Sequence, residues 1–442
     1  MKRLAAVLLG VLILCFVSCK KTDSDSKAPS DGVSSSSSAE TSESTDSGLP
    51  DGSVRIDEQN FPDGGFREVV NDVLDINGDG ILDASEIAQV EELEVYSDCH
   101  GTTVKGLEYF PSVKRLSIAD FSSLDDFDPA DFPELVELSI YRSGITSLDV
   151  SKNEKLKVLS CSGTEITELD VSRNVELEEL ECAGCDISAL DVSKNTKLKS
   201  LYVQGTNITS LDLRSCPELE TLACANTKIA NLDLSNNPKL QRLEAWETDL
   251  SELDLSHNPE LLFLNLRFLP TNGLQDEPEY QGDLGTKITA LDLSQNTKLE
   301  TLYCGSPELK SLDVSGCTNL QWFYLFETKI TALDLSSNTK IDLFWCEGCE
   351  MTLLDLSGCT ELQELYCFNN QLTAIKLDNN PKLLYADVSE NQITELDLSS
   401  CENLKELNCT GNQLTEVKLS KKVDFRRSED FKLDEGTTLL WE

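Results

Sequence analysis

Residues 148–168 read LDVSKNEKLKVLSCSGTEITE, and the same frame recurs down most of the chain. Its leading residue is Leu148, then Leu169, Leu190, Leu211, Leu232 and Leu253, always 21 positions apart. After a single gap of 38 it resumes at Leu291, Leu312, Leu333, Leu354, Ile375, Leu396 and Val417, again every 21 residues. Phe127 heads a more divergent earlier copy, which makes fourteen units. One insertion of 17 residues therefore interrupts an otherwise constant period. A unit this short has too few apolar residues to close a core alone. Stacking aligns Leu148, Val150, Leu156, Leu159, Cys161 and Ile166 with their counterparts into continuous interior columns. The stretch around Leu159 and Cys161 alternates inward and outward, which predicts one strand per coil in a parallel sheet. Fourteen such coils at about 4.8 Å each make an arc of roughly 65 Å.

Within that unit, Leu156-x-x-Leu159-x-Cys161-x-x-Thr164-x-Ile166 resembles the leucine-rich-repeat signature LxxLxLxxNxL. Thr often stands where that family has Asn, and Asn370, Asn391 and Asn412 restore it near the C-terminus. The resemblance covers roughly residues 104–420. It implies a right-handed leucine-rich-repeat solenoid with a parallel β-sheet on the concave face and short extended or 3-10 segments on the convex face. The whole layout resembles that of internalin-like bacterial surface proteins.

Residues 75–86 read DINGDGILDASE. Asp75, Asn77 and Asp79 stand at positions 1, 3 and 5 of a calcium loop, and Gly80 supplies the turn at position 6. Ile81 offers its carbonyl, Asp83 stands at position 9, and Glu86 closes the loop. Hard oxygen ligands at these offsets suit one Ca²⁺. Phe66, Val69, Val70, Val73 and Leu74 recur at helical spacing before the loop, and Ile87 and Val90 follow it. Only one such loop is apparent, so it reads as a structural staple, a small helical EF-hand-like cap at the N-terminal end of the array. The preceding Asn60-Phe61-Pro62-Asp63 resembles part of a module that accompanies such repeats in bacterial surface proteins.

At the start of the chain, Lys2 and Arg3 precede an apolar run from Leu4 to Val17, too short for a comfortable membrane span and laid out as a secretory signal. The run ends Phe16-Val17-Ser18-Cys19, which resembles a bacterial lipobox and implies lipidation at Cys19. Phe16 departs from the Leu usual three positions before that Cys; an ordinary signal peptide is the alternative. The next 33 or so residues are rich in Ser, Thr, Asp, Gly and Pro and cannot bury enough apolar area to offset chain entropy. As a flexible tether they reach on the order of 30 Å. The expected organisation is a signal peptide at 1–18, a tether at 19–52 and a calcium module at 53–103. The repeat array follows at 104–419 with its insertion near 267–284, then a C-terminal cap at 420–442. The expected location is the bacterial cell envelope, lipid-anchored and facing outward.

The chain of 442 residues carries 79 acidic and 37 basic side chains, a formal net charge of −42. Nucleic acid is excluded as the main partner, because phosphate binding needs clustered Lys and Arg. The same charge opposes docking on an anionic membrane, so any membrane contact goes through the N-terminal lipid. With two histidines in all, His100 and His257, far apart along the chain, and no Ser elbow, phosphate loop or metal-ligand cluster, the sequence reads as that of a non-enzyme.

Sixteen cysteines suggest disulfides or metal until they are placed. Cys161, Cys182, Cys224, Cys304, Cys346, Cys367 and Cys409 share one inward strand position, which Val203, Ala245, Leu266, Leu325 and Val388 fill in other coils. A site that accepts all of these is a packing site. Disulfides between adjacent coils stay open on distance alone. Cys216, Cys317, Cys359 and Cys401 fall where other coils have Asn174, Asn237 or Asn338. The pairs Cys182/Cys185 and Cys346/Cys349 have zinc-like spacing but lie seven coils apart, and Cys185 and Cys349 take the Thr or Asn slot of the repeat.

Outward columns separate the regular from the local. Asp follows the leading residue in most coils, from Asp149 and Asp170 to Asp397. Like charges one coil apart repel and need hydrogen bonds or cations. Another column alternates sign through Lys155, Glu176, Lys197, Glu218, Lys239 and Glu260, which favours pairing between coils. The outward strand positions hold Tyr303, Trp322, Tyr324, Phe326, Trp345, Tyr366, Phe368 and Tyr385 in the later coils, with Trp246 and Phe263 just before the insertion. A repeat core does not require these rings, and an exposed aromatic patch marks a binding surface. The expected function is a surface-anchored adhesin or receptor-like protein that holds a protein partner on this face. Glycan binding and a passive envelope role are the alternatives; sheet filling alone would also place rings in strands.

Overall fold

The computed structural model describes residues 49–97, 101–267, 286–423 and 431–442. The signal peptide, Cys19, most of the tether, His100 and the insertion beyond Arg267 lie outside the described residues.

Alternation of apolar and outward residues around the repeat's second Leu produces one short strand per coil. Sixteen of these strands form a single sheet in chain order, from Glu92–Tyr96 to Phe431–Lys432. Neighbours are parallel and in register with the repeat: Leu159 faces Leu180, Leu180 faces Leu201, and Leu201 faces Leu222. The insertion leaves this register intact, since Leu264 faces Leu302 across it as any two successive coils do. The sheet is two strands longer than the fourteen periodic units. Glu92–Tyr96 and Arg115–Ala119 precede the copy headed by Phe127 and pair in the same parallel way. At the other end, Phe431–Lys432 pairs with the strand Glu406–Asn408. Thr438–Trp441 pairs with Glu416–Leu419, so the C-terminal residues add a further coil.

The opposite side of the coil carries extended chain and turns. Three short parallel ladders form there, such as Ala290–Asp292 with Ser311–Asp313 and Leu353–Asp355 with Ala374–Lys376. Among the described residues, 3-10 turns occur at Leu107–Tyr109 and Pro129–Asp131, both in the first coils.

The core is the set of columns the period predicts. Val150, Leu156, Leu159, Cys161 and Ile166 and their counterparts are buried in one continuous cluster that runs from Val54 to Phe431. Two polar devices stitch the coils together. Asn153, Asn174, Asn195, Asn237, Asn258, Asn296, Asn338 and Asn380 are fully buried, and each donates its side-chain amide to two carbonyls of the preceding coil. The repeated Asp is the second. Asp149, Asp170, Asp191 and Asp334 each accept the main-chain N–H two residues on, at 2.9 Å. That local turn bond holds carboxyls such as that of Asp149 below the usual range, and Asp212, Asp355 and Asp397 are in addition paired with Arg214, Lys376 and Lys418. The sign-alternating column pairs as expected: Lys155 with Glu134, Lys197 with Glu176, Lys298 with Glu260.

Candidate functional site

Three outward columns build the face opposite the core. Strand register places Trp322, Leu343, Glu364, Tyr385 and Glu406 in the first column. Tyr303, Tyr324, Trp345, Tyr366 and Asp387 form the second. Gly305, Phe326 and Glu347 lie in the third, which continues one period on to Phe368. The second column is a ladder of touching rings. Phe263 meets Tyr303 at 5.7 Å between centroids, Tyr303 stacks on Tyr324 at 4.3 Å, Tyr324 meets Trp345 at 6.4 Å, and Trp345 meets Tyr366 at 4.8 Å. Phe326 and Phe368 flank Trp345 at 6.0 and 6.1 Å. The Arg242 guanidinium lies 3.7 Å from the Phe263 centroid and caps the ladder's N-terminal end.

Tyr303, Trp322, Tyr324, Phe326 and Trp345 form, with Leu343, an apolar cluster of their own, separate from the solenoid core. They do not share equally in the surface. Tyr324 and Phe326 are only 7% and 6% exposed, covered by their neighbours across coils. They act as the floor of the patch, and their burial corrects the expectation of eight equivalent exposed rings. Tyr303, Trp322, Trp345, Tyr366, Phe368 and Tyr385 remain half-buried, each with one side to solvent. Trp246 is half-buried in the third column, separated from Phe326 by Arg267 and Gly305. Arg267 is itself buried, 5.4 Å over the Phe326 ring and 3.2 Å from the Glu327 carboxylate. It lies against Gly305, where a side chain would collide with its aliphatic stem. Burial raises the Tyr303 phenol and the Glu347 carboxyl above their ordinary values.

The loop from Asp75 to Glu86 is folded on itself. Asp75 accepts N–H bonds from Gly78 and Gly80 at 2.8 Å, Asn77 accepts from Asp79, and Asp79 accepts from Ile81. Glu86 reaches back to the amides of Ile76 and Asp83, both at 2.9 Å, and with Asp83 forms a capping box on the helix Ala84–Gln89. Gly78 and Gly80 both hold positive φ, as the tight loop requires. The strand Ile81–Leu82 pairs with Val54–Arg55, so the chain itself supplies the partner that a second loop would give. By chemistry and order the oxygen donors fit a hard divalent ion. As arranged, no three Asp, Glu, His or Cys side chains among the described residues are gathered to hold one.

The flanking helices are shorter than the periodicity predicts. Gly64–Val69 is α-helical, but Val70–Leu74 widens into a π turn. That extra residue per turn rotates Val73 out of the apolar face, to 67% exposure. After the loop, the helix stops at Gln89 and Val90 is extended. The module still packs onto the array, since Phe61, Phe66, Val70 and Leu82 belong to the same core as the coils.

The thirteen described cysteines are all free and buried. Cys185 donates to the Cys161 carbonyl one coil earlier at 3.1 Å, and in the same slot Asn370 donates to the Cys346 carbonyl at 2.9 Å. The slot read as interchangeable Thr, Asn or Cys thus stitches coils where Asn or Cys fills it, whereas Thr164, Thr206, Thr227 and Thr248 donate to their own coil three residues back. The sequence reading missed the hydrogen-bonding role of both Asn columns; their fixed spacing of 21 was the available signal.

One strand per 21-residue coil, a parallel sheet on one side and Asn-stitched turns define a leucine-rich-repeat solenoid. Residues 196–236 match the family described as Leucine Rich repeats (2 copies). Among solved structures, the chain is similar to the functional domain of InlJ from Listeria monocytogenes, described as including a cysteine ladder. That match has 26% identity and a TM-score of 0.62, and covers 88% of each chain. An internalin (inlF) from the same organism matches at 19% identity and TM-score 0.56, over 79% of this chain and 94% of that one. A leucine-rich-repeat protein of Leptospira interrogans matches at 15% identity and TM-score 0.58, over 79% and 97%. No curated protein matches the chain.

Proposed function

We propose that this is a non-enzymatic binding protein of the bacterial cell surface, which takes a protein partner on the aromatic strip of its main sheet. The observation that carries this reading is the ring ladder from Phe263 to Tyr366. It is continuous over five coils, and its middle, from Tyr303 to Trp345, is an apolar cluster separate from the core, so folding alone does not account for it. A rigid sheet presents these rings at little entropic cost, which is what a recognition surface needs. The likeness to internalin structures favours a binding scaffold on a bacterial surface, with Cys19 as the lipid attachment and residues 19–52 as the spacer. Ca²⁺ in the Asp75–Glu86 loop, held by Asp75, Asn77, Asp79, Asp83, Glu86 and the Ile81 carbonyl, would brace the N-terminal end.

The test is capture of partners from envelope, glycan and host-protein libraries by the intact ectodomain and by a Trp322→Ala/Trp345→Ala variant. The variant should lose its protein partner while its melting curve stays that of a folded solenoid. Unchanged capture by the variant would refute the site, and retention of a glycan alone would replace protein with carbohydrate as the partner.

A further inference from the structure

The ring ladder does not run alone. Carboxylates are set between its rungs at fixed places. In the first column the order is Trp322, Leu343, Glu364, Tyr385, Glu406, so rings and acids alternate over its last three coils. Two contacts tie the acids to the rings. The Tyr366 hydroxyl donates to Glu364 Oε2 at 3.2 Å, and Trp345 Nε1 donates to Glu347 Oε2 at 3.2 Å. Each bond holds a carboxylate beside a ring that is only half-buried.

The charge pattern here differs from that of the sign-alternating column, where acids are answered by a Lys one coil away: Glu134 by Lys155, Glu176 by Lys197, Glu361 by Lys382. Toward the N-terminal end of the ladder, Arg242 is paired with Glu244 on its own strand. Around Trp345 and Tyr366 no described Lys answers in this way, and the Arg267 charge acts on Glu347 without an ion pair. Among the described residues, no Lys or Arg forms an ion pair with Glu347, Glu364, Asp387 or Glu406, whereas the nearby Arg267 is committed to Glu327. Asp387 is satisfied by Ser389 and Asn408, neither of them charged. A cation placed against Tyr366 on the side away from Trp345 would meet the ring quadrupole and, beside it, the Glu364 carboxylate.

We infer that the partner reaches this face with an extended, Lys- or Arg-bearing polypeptide segment, whose cationic side chains lie against Tyr366, Tyr385 and the exposed part of Trp345, among Glu347, Glu364 and Glu406. The inference rests on the binding role proposed above and narrows it to one chemistry. Successive coils offer a ring or an acid about every 4.8 Å, against about 6.6 Å between alternate side chains of an extended chain, an offset that long, flexible Lys and Arg side chains take up. The net charge of −42 draws such a segment in and repels acidic ones.

The experiment measures binding of a labelled synthetic peptide of alternating Lys and Ser, at physiological ionic strength so that long-range attraction is screened. The full chain is compared with a Glu347→Gln/Glu364→Gln/Glu406→Gln variant. The control is Glu154→Gln/Glu165→Gln/Glu168→Gln, which removes the same charge from exposed positions off this face. The concave variant should bind about tenfold more weakly, and the control should change by less than about twofold. Trp345→Ala should also weaken the peptide. Equal losses in the two charge variants, or no binding of the peptide to the full chain, overturn the inference. If Trp345→Ala abolishes capture of a library partner while the concave charge variant does not, the face binds but its partner is not basic. Displacement of the peptide by a neutral oligosaccharide likewise overturns a basic partner.

Discussion

The side-chain amide of Asn174 donates to the main-chain carbonyl of Asn153, one coil earlier, at 2.9 Å. It also donates to the Val150 carbonyl at 3.0 Å, so one buried side chain binds two carbonyls of one turn in the preceding coil. The same bond pair recurs down the array, and its interruptions are informative. Where Cys216 takes the slot, its Sγ stands 3.8 Å from both the Val192 and Asn195 carbonyls, too long for more than a weak contact.

Asn174→Ala should therefore destabilise the array by about 1–3 kcal/mol, because buried carbonyls lose a donor. Cys216→Asn should act in the opposite direction, by about 1 kcal/mol, by supplying both bonds where a thiol now sits. Urea titrations of the two variants against the parent check both signs.

A column of left-handed backbone closes the main strand of most coils. Gly163, Gly184, Gly205, Gly348 and Gly411 occupy it, as do Asn226 and Asn369. Glu390 occupies it too, with φ of 51°, although its side chain is exposed. Replacing Glu390 with Gly removes the clash of Cβ with the backbone and should raise stability by about 0.5–1 kcal/mol, net of the extra entropy Gly gives the unfolded chain. The matched change at Glu327 should gain less, because it sacrifices the pair with Arg267. Thermal melts of the two variants separate these outcomes.

Asp355 accepts from Lys376 Nζ at 2.8 Å and from the amide and hydroxyl of Ser357, and these bonds lower its pKa to about 2. The unfolded carboxyl titrates near 3.8. A carboxyl with a depressed folded pKa stabilises above the unfolded value and loses that contribution as pH falls through the folded one. Asp355→Asn should be less stable than the parent at pH 7, and the gap should close between about pH 4 and pH 2. The effect is small, since the pair is largely exposed. Denaturant midpoints measured across that window would show a constant gap if Asp355 acts only through its shape.

Most of the architecture was legible because the period does two things at once. It fixes which side chains point inward, and it makes residues 21 apart into neighbours, so Tyr303, Tyr324, Trp345 and Tyr366 could be placed on one face by spacing alone. Which rings remain accessible was not legible. Tyr324 and Phe326 are covered by rings from adjacent coils, and that depends on side-chain packing across strands. The strand Glu92–Tyr96 escaped because it precedes the regular period, and its spacing to Arg115–Ala119 is 23. The π turn at Val70–Leu74 has no compositional signature, so Val73 was placed on the wrong side. The Asn column was visible as a pattern but ambiguous as chemistry, because Cys shares it.

The loop from Asp75 to Glu86 supplies the remaining prediction. Its end carboxylates are both buried, at 7% and 5% exposure, and are held by main-chain N–H groups. Those bonds offset part of the desolvation cost, yet they supply no positive charge, and Asp79 and Asp83 add two more acids to the same loop. A divalent ion would relieve that repulsion, and the loop's packing through Leu82 onto Phe61 and Phe66 would carry the gain into the first coils. Ca²⁺ at 100 times its Kd should then stabilise this end by about 2.7 kcal/mol, and EDTA should reverse it. Glu86→Gln keeps a side-chain acceptor for the capping box while removing the closing charge. It should leave the calcium-free melt nearly unchanged and abolish the calcium-dependent rise. A parent melt indifferent to both Ca²⁺ and EDTA, with no heat of binding in titration calorimetry, would leave the loop as a self-satisfied turn and remove the brace from the N-terminal end.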